Sequence, residues 1–352
     1  MLKKVLKIII IRLTNFYGLG ILKAINLFNY YIIHFFSFSK FKSEQIRRQN
    51  IDLFDYLELA KSLPLICNSY YLNNDFYGHN HILKKYMSIN NDLFWIIEHG
   101  IGFGENPDPF AEDFNDFLLV VTYGDFREIV NLKFTTKKIL KIGPYIHYTN
   151  PLLNKIETDL LKNKLGRVLL VFPMHATNQV HYLYDDSFFI QEIKKRQTNY
   201  DNVIICMYWK DIQLGLHLKF KASNFLITCA GHIMDQNFLP RLKTIITISD
   251  EIFTNTIGTH IGYAVFMNKK IEYIEQEITQ IVGSSENIKT NHPKDVESFL
   301  KKEAEVKNAF VKDSEYSEDQ RYNLVNDLWG FNHIKNPKEL KDELKKINVG
   351  KN

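Results

Sequence analysis

Short apolar runs alternate with helical stretches along most of this chain, and that alternation constrains its fold more than any other feature. "LFWIIEHG" (Leu93 to Gly100), "FLLVVTYG" (Phe117 to Gly124) and "KILKIGP" (Lys138 to Pro144) are each bounded by turn residues. So are "RVLLVFP" (Arg167 to Pro173), "NVIICMYW" (Asn202 to Trp209) and "NFLITCAG" (Asn224 to Gly231). Runs this short and this continuously apolar fit strands buried on both faces. "LPLICNSYY" (Leu63 to Tyr71), "EIFTN" and "KIEYI" read the same way. "HNHILKKYMS", "DFREIVNLKF" and "SFFIQEIKKRQTNY" lie between them as helices. Strand and helix in alternation predict parallel, doubly wound sheets. In "DQNFLPRLKTIITIS", Asp235 reads as the N-cap of a helix and Pro240 as a kink within it.

The 352 residues are 45% hydrophobic, enough for two cores. The pattern divides the chain into a basic, aromatic segment (1–50), a first Rossmann-like unit (51–150), a second (151–290) and a charged helical tail (291–352). A net charge of +4 is too small to argue for nucleic acid as a partner. Cys67, Cys206 and Cys229 are far apart and odd in number, which favours a reducing compartment over a disulfide framework.

The first 43 residues carry Lys3, Lys4, Lys7, Arg12 and Lys23, and no acidic residue comes before Glu44. No clear signal-peptide cleavage site follows, and no uninterrupted apolar stretch of about 20 residues is present to span a bilayer. Two readings stay open: an amphipathic segment lying at a membrane surface, or a helix packed on the domain.

One stretch points to chemistry. "TNTIGTHIGYAVFMNKKIEYI" sets Thr254, Asn255 and Thr256, all capable of capping, before an apolar helix. Gly258 and Gly262 sit one turn apart within it, beside Thr259 and His260. Each glycine costs a helix about 1 kcal/mol against alanine, so the pair needs a reason. Close packing is one reason. Close approach of an anionic ligand to a helix N-terminus is the other. His260 could add a positive or hydrogen-bonding group.

Other polar groups fall just past strand ends, where open α/β sheets bind ligands. "FPMHATN" supplies His175, Thr177 and Asn178, and "CAGHIMD" supplies Gly231 and His232. "IIEHGIGFG" supplies Glu98, His99 and Gly100, and "FYGHNH" supplies His79 and His81. No H-x-x-x-H or H-E-x-x-H pair argues for a metal, and no P-loop or full dinucleotide fingerprint occurs.

Two Rossmann-like units with a glycine-bearing helix late in the second resemble a GT-B glycosyltransferase. The stretch from Asn224 to Ile274 is similar to the donor-binding half of that fold. "EHGIGFG", "IGPYIHY" and "TNTIGTHIGYAVFMNKK" also resemble proteins from bacterial capsule, O-antigen and lipooligosaccharide clusters. The resemblance covers roughly residues 65–275. It implies transfer from a nucleotide-sugar to a glycan or lipid-linked acceptor, without a cofactor or bound metal, at the cytoplasmic face of the membrane. The donor half lacks an E-x₇-E pair, which favours inversion. Glu297 and Glu305 have that spacing, but they lie in the charged tail, where a solvated helix face is the simpler reading.

On this reading His175, Thr177, Asn178, Gly231, His232, Asn255, Thr256, Gly258, Thr259, His260 and Gly262 face the donor. His79, Glu98 and Gly100 face the acceptor, and His99 is the candidate base, with Glu98, Asp108 and Asp113 behind it. A nucleotide-sugar epimerase, a transferase of another activated group and a non-catalytic assembly protein are the rival readings.

Overall fold

The computed structural model describes residues 41–63, 69, 71–91, 93–104, 117–176, 180–282 and 293–347. Most of the strand expected at Leu63 to Tyr71 lies outside these residues, as do Cys67 and the segment before residue 41.

Ten strands are present among the described residues. They are β1 (Trp95–Ile97), β2 (Leu119–Thr122), β3 (Lys138–Lys141), β4 (Val168–Phe172), β5 (Val180–Tyr184), β6 (Asn202–Cys206), β7 (Leu226–Thr228), β8 (Glu251–Thr254), β9 (Lys270–Tyr273) and β10 (Ile278–Val282). β1, β2 and β3 form a parallel sheet in that order. A second parallel sheet has the order β7-β6-β4-β8-β9. β1, β2 and β4 are buried along their whole length, which is why they read as unbroken apolar runs. β5 and β10 form a separate antiparallel pair that the sequence pattern did not reveal.

The second sheet fixes the site. From β4 the chain builds outward through β6 to β7, then crosses back and builds the other way through β8 to β9. The winding direction therefore reverses between β4 and β8. Their last residues, Phe172 and Thr254, are paired in register, so the two chains leave the sheet side by side and diverge. Such a reversal opens a crevice at the carboxyl edge.

The helices that matter here are α1 (residues 41–49), α2 (His79–Met87), α3 (Asp125–Leu132), α4 (Phe238–Ile248), α5 (Thr259–Phe266) and α6 (Glu318–Trp329). α1 packs on the second unit. Its Gln45 and Arg48 are buried, and Arg48 joins Asp235 and Arg241 in a cluster with no solvent exposure. Asp235 is therefore not the N-cap of α4. Asn237 holds that position, while Asp235 Oδ2 receives Arg241 at 3.0 Å and Arg48 at 3.3 Å. Pro240 is the third residue of α4, where a backbone N–H has no partner within the helix, so the helix continues through it.

α6 lies against both α3 and α5, and its Trp329 is fully buried in the core that the two sheets share. No helix of the described residues is long and apolar enough to cross a membrane.

Candidate functional site

The crevice between β4 and β8 opens into a cavity of about 310 Å³. Its second-sheet wall begins at Phe172, the last residue of β4, at His175 beyond that strand and at Tyr208 beyond β6. Thr256, Gly258, Thr259 and His260, beyond β8, complete that wall. From the first sheet come His99 and Gly100, directly after β1, and His79 at the start of α2. Eight predicted residues from distant parts of the sequence thus meet around one space.

The stretch from Thr254 to Gly262 does not fold as its caps suggested. Gly258 is the N-cap of α5, in extended backbone, and no side chain caps the helix. The three capping candidates serve the strand ends instead. Thr254 Oγ1 receives the Thr256 N–H at 3.1 Å and lies 2.8 Å from the Phe172 carbonyl. Asn255 Oδ1 receives the Met174 N–H at 2.7 Å and fastens the turn after β4. The α5 N-terminus is left to the cavity, with the partial positive charge and donors that a helix start carries.

His260 does not add a positive charge. Its ring lies 4.9 Å from that of Phe172, and burial lowers its pKa to about 3. Nε2 is 3.2 Å from Thr254 Oγ1. Since that hydroxyl can donate to the Phe172 carbonyl, the network assigns the imidazole proton to Nε2 and leaves Nδ1 an acceptor. A bound anion at this end would rely on backbone N–H groups.

His79 is 2% exposed, and burial holds its pKa at about 3. Its Nδ1 has no hydrogen-bond partner. His99, half-buried, also lines the cavity, with its ring inclined at 29° to that of Tyr77 at 6.5 Å and edge-on to Phe76 at 5.9 Å. His175 is exposed at the rim, 4.6 Å from the ring of Tyr208.

Five predicted residues do not line the cavity. Glu98 is buried beneath it and fully engaged: Arg127 binds it at 2.6 Å, Asn131 donates to it at 3.0 Å, and Thr122 donates as well. Arg127 also holds the carbonyls of Gly102 and Gly104 at 3.0 and 3.1 Å, so this ion pair shapes the "GIGFG" loop. His232 receives the Met234 N–H on Nδ1 and packs on Trp209 at 4.2 Å. Gly231 has φ +114°, and a Cβ there would fall 2.7 Å from Arg241 and Asp235. Asn255 is buried behind the β4 turn. Gly262 faces Trp329, whose indole would be 2.2 Å from an added Cβ, so packing accounts for this glycine. Thr177, Asn178, Asp108 and Asp113 lie outside the described residues, and no group of three or more His, Cys, Asp or Glu among those residues could hold a metal.

Sequence reasoning missed the tyrosines. Tyr208 follows the end of β6 just as His175 follows β4, so its place was available from the strand order. Tyr77 was not legible. It takes a left-handed backbone at φ 56°, a conformation that costs a non-glycine residue about 1–3 kcal/mol. Its N–H to the Ile233 carbonyl at 2.7 Å, its packing on Phe238 at 4.7 Å and a hydrogen bond between its phenol and that of Tyr208 hold it there. Burial raises the Tyr77 pKa well above the ordinary value.

No family model matches the sequence, and no curated protein matches it. Several solved structures can be overlaid on the chain. MnaA of S. aureus, in a co-structure with UDP, gives a TM-score of 0.36 at 10% identity over 71% of this chain and 69% of that one. The catalytic domain of starch synthase IV from Arabidopsis thaliana, bound to ADP and acarbose, gives 0.28 at 12% identity over 67% and 57%. The α,α-trehalose 6-phosphate synthase of Burkholderia multivorans gives 0.31 at 9% identity over 86% and 83%. At these TM-scores the likeness carries no argument about chemistry, which rests on the cavity itself.

Proposed function

We propose that the chain is a glycosyltransferase that takes a nucleotide-sugar as donor. The observation that carries this reading is the α5 N-terminus, free of any side-chain cap, lining a cavity where the winding of a parallel sheet reverses. Backbone donors at a helix start suit a diphosphate without a matching side-chain cation. They are also fixed in place before reaction, so they stabilise the charge that develops on the leaving phosphate at little reorganisation cost.

The acceptor would then enter from the side of the first sheet, where His99 lines the cavity. His99 would take the proton of an acceptor hydroxyl as its oxygen attacks the anomeric carbon. The new bond joins that carbon to the acceptor oxygen, the bond from carbon to phosphate oxygen breaks, and the nucleoside diphosphate departs toward α5. Attack from the face opposite the leaving group inverts the anomeric centre. Assembly of a surface glycan on a lipid-linked acceptor, with the basic segment before residue 41 at the membrane, belongs to the same proposal.

Thermal denaturation with UDP-, GDP-, dTDP- and CMP-sugars tests the reading. A specific ligand at a hundredfold excess over its Kd raises stability by about 2.7 kcal/mol. A shift with one nucleotide class, followed by transfer to a glycan acceptor that is lost in His99→Ala, is the expected result. Absence of any shift in folded protein would overturn it.

A further inference from the structure

The described residues give the cavity a lining of polar and apolar groups without a charged side chain. Among the described residues that line it there is no Asp, Glu, Lys or Arg. Its polar groups are imidazoles, phenols and threonine hydroxyls, set among the apolar faces of Phe172, Phe238 and Leu242. Hydroxyls and neutral imidazoles can both donate and accept, which matches the hydroxyls of a sugar. Apolar and aromatic faces match the C–H faces of its ring. A sugar carboxylate placed here, away from the α5 N-terminus, would lose its hydration without gaining a side-chain countercharge from the described residues.

His79 makes this more specific. It is buried, it lines the cavity, and its Nδ1 lacks the hydrogen bond that a buried polar atom ordinarily has. The packing around it is aromatic: Tyr145 lies 4.6 Å away and Tyr77 5.7 Å away, and neither supplies a partner for that nitrogen. Burial also keeps the ring uncharged at neutral pH, so it favours a neutral partner.

We infer that this cavity is a subsite for an uncharged sugar ring, that it rejects acidic sugars, and that His79 is the residue that reads the ring. The inference rests on the nucleotide-sugar reading, in which the α5 N-terminus is occupied by the donor phosphates.

Two matched ligand pairs test it by calorimetry: UDP-glucose against UDP-glucuronate, and GDP-mannose against GDP-mannuronate. The neutral member of the pair whose nucleotide binds is expected to bind at least about tenfold more tightly, a difference of about 1.4 kcal/mol. His79→Phe should abolish that preference and leave affinity for the free nucleoside diphosphate within about twofold. His79→Asn, smaller and still polar, serves if the phenylalanine variant is misfolded by circular dichroism. Equal or tighter binding of the acidic sugar overturns the inference and spares the donor reading. Equal loss of free nucleotide and nucleotide-sugar in the His79 variants also overturns it, because the residue would then read the nucleotide.

A second arm uses methyl glucoside and glucuronate alone, followed by saturation-transfer NMR. If no nucleotide binds but the neutral glycoside does, and only with His79 present, the subsite stands and the donor reading falls. If neither nucleotide nor glycoside binds, both fall.

Discussion

The backbone N–H of Ile101, in the loop after β1, donates to Thr259 Oγ1, on the first residue of α5, at 3.3 Å. One hydrogen bond thus joins the carboxyl edge of the first sheet to the helix that starts at the carboxyl edge of the second. It brings Gly100, in the same loop, to within 3.6 Å of Thr259 Oγ1 as measured from a built Cβ.

Thr259→Val removes this acceptor at nearly constant volume. A single neutral hydrogen bond contributes about 0.5–1.5 kcal/mol, so the loss in global stability should be of that order. Ligand affinity should fall further than stability alone predicts, because Thr259 also lines the cavity. Paired urea titration and ligand calorimetry on this variant check both effects.

Gly262→Ala forces a methyl group into the indole of Trp329, at a built distance of 2.2 Å. Overpacking of this kind costs about 1–3 kcal/mol. The expected result is a lower urea midpoint, with site affinity retained in the folded fraction, since Gly262 does not line the cavity. Unchanged stability together with lost affinity would return this glycine to the ligand.

Arg127→Met leaves the Glu98 carboxylate buried with only hydroxyl and amide partners. Breaking a buried pair from one side costs about 3–5 kcal/mol. The double variant Arg127→Met, Glu98→Gln should recover much of that loss. A thermodynamic cycle over the four proteins measures the coupling, and a value near zero would show that the ion pair adds no net stability.

His79 makes stability depend on pH. Its folded pKa of about 3 is below the ordinary value of 6.5, so below pH 6.5 the unfolded chain binds a proton that the folded chain refuses. Stability attributable to this residue is complete above 6.5 and falls as pH drops from there toward 3, by about 1.4 kcal/mol per unit at most. His79→Phe should reduce the slope of unfolding free energy against pH between 6 and 4, the remaining slope including contributions from His232 and His260, whose pKa values burial also lowers. Measurement of guanidinium midpoints across that range, in wild type and variant, decides it.

Asp211 acts in the opposite sense. It is 2% exposed, and burial pushes its carboxyl up to about 7, while its Oδ1 accepts the Ala176 N–H at 3.0 Å. Above the unfolded value of 3.8 the folded state forgoes an ionisation that the unfolded chain gains. Asp211→Asn keeps the acceptor and removes that penalty, so it should stabilise the protein at pH 8 by on the order of 2 kcal/mol, with little gain at pH 4. Thermal melts at the two pH values show whether it does.

The strands of both sheets that fall among the described residues were legible in the sequence, and so were the helices of Asp125–Leu132 and Asp186–Gln197. Burial on both faces turns a parallel strand into an uninterrupted apolar run, which local sequence records. β5 and β10 were not legible, because an antiparallel pair outside the main sheets leaves a mixed pattern over five residues each. The placement of polar groups past strand ends was also available, and it brought His79, His99, His175 and His260 to one cavity.

The role of each group was not available. Asn255 and Thr254 have the composition of helix caps, yet they hold the strand ends. Glu98 and His99 are adjacent, yet one is locked to Arg127 beneath the sheet edge while the other faces the cavity. Gly262 looked like an opening for a ligand, until Trp329, 67 positions later in the chain, was found to fill it. By itself the sequence determined the alternation of strand and helix, and so the edge at which a site could form, because hydrophobic burial is periodic along the chain. Only the tertiary structure decided which polar groups face the cavity and which are consumed by packing. Partners for a buried charge or a missing Cβ come from segments distant in sequence, and local pattern carries no record of them.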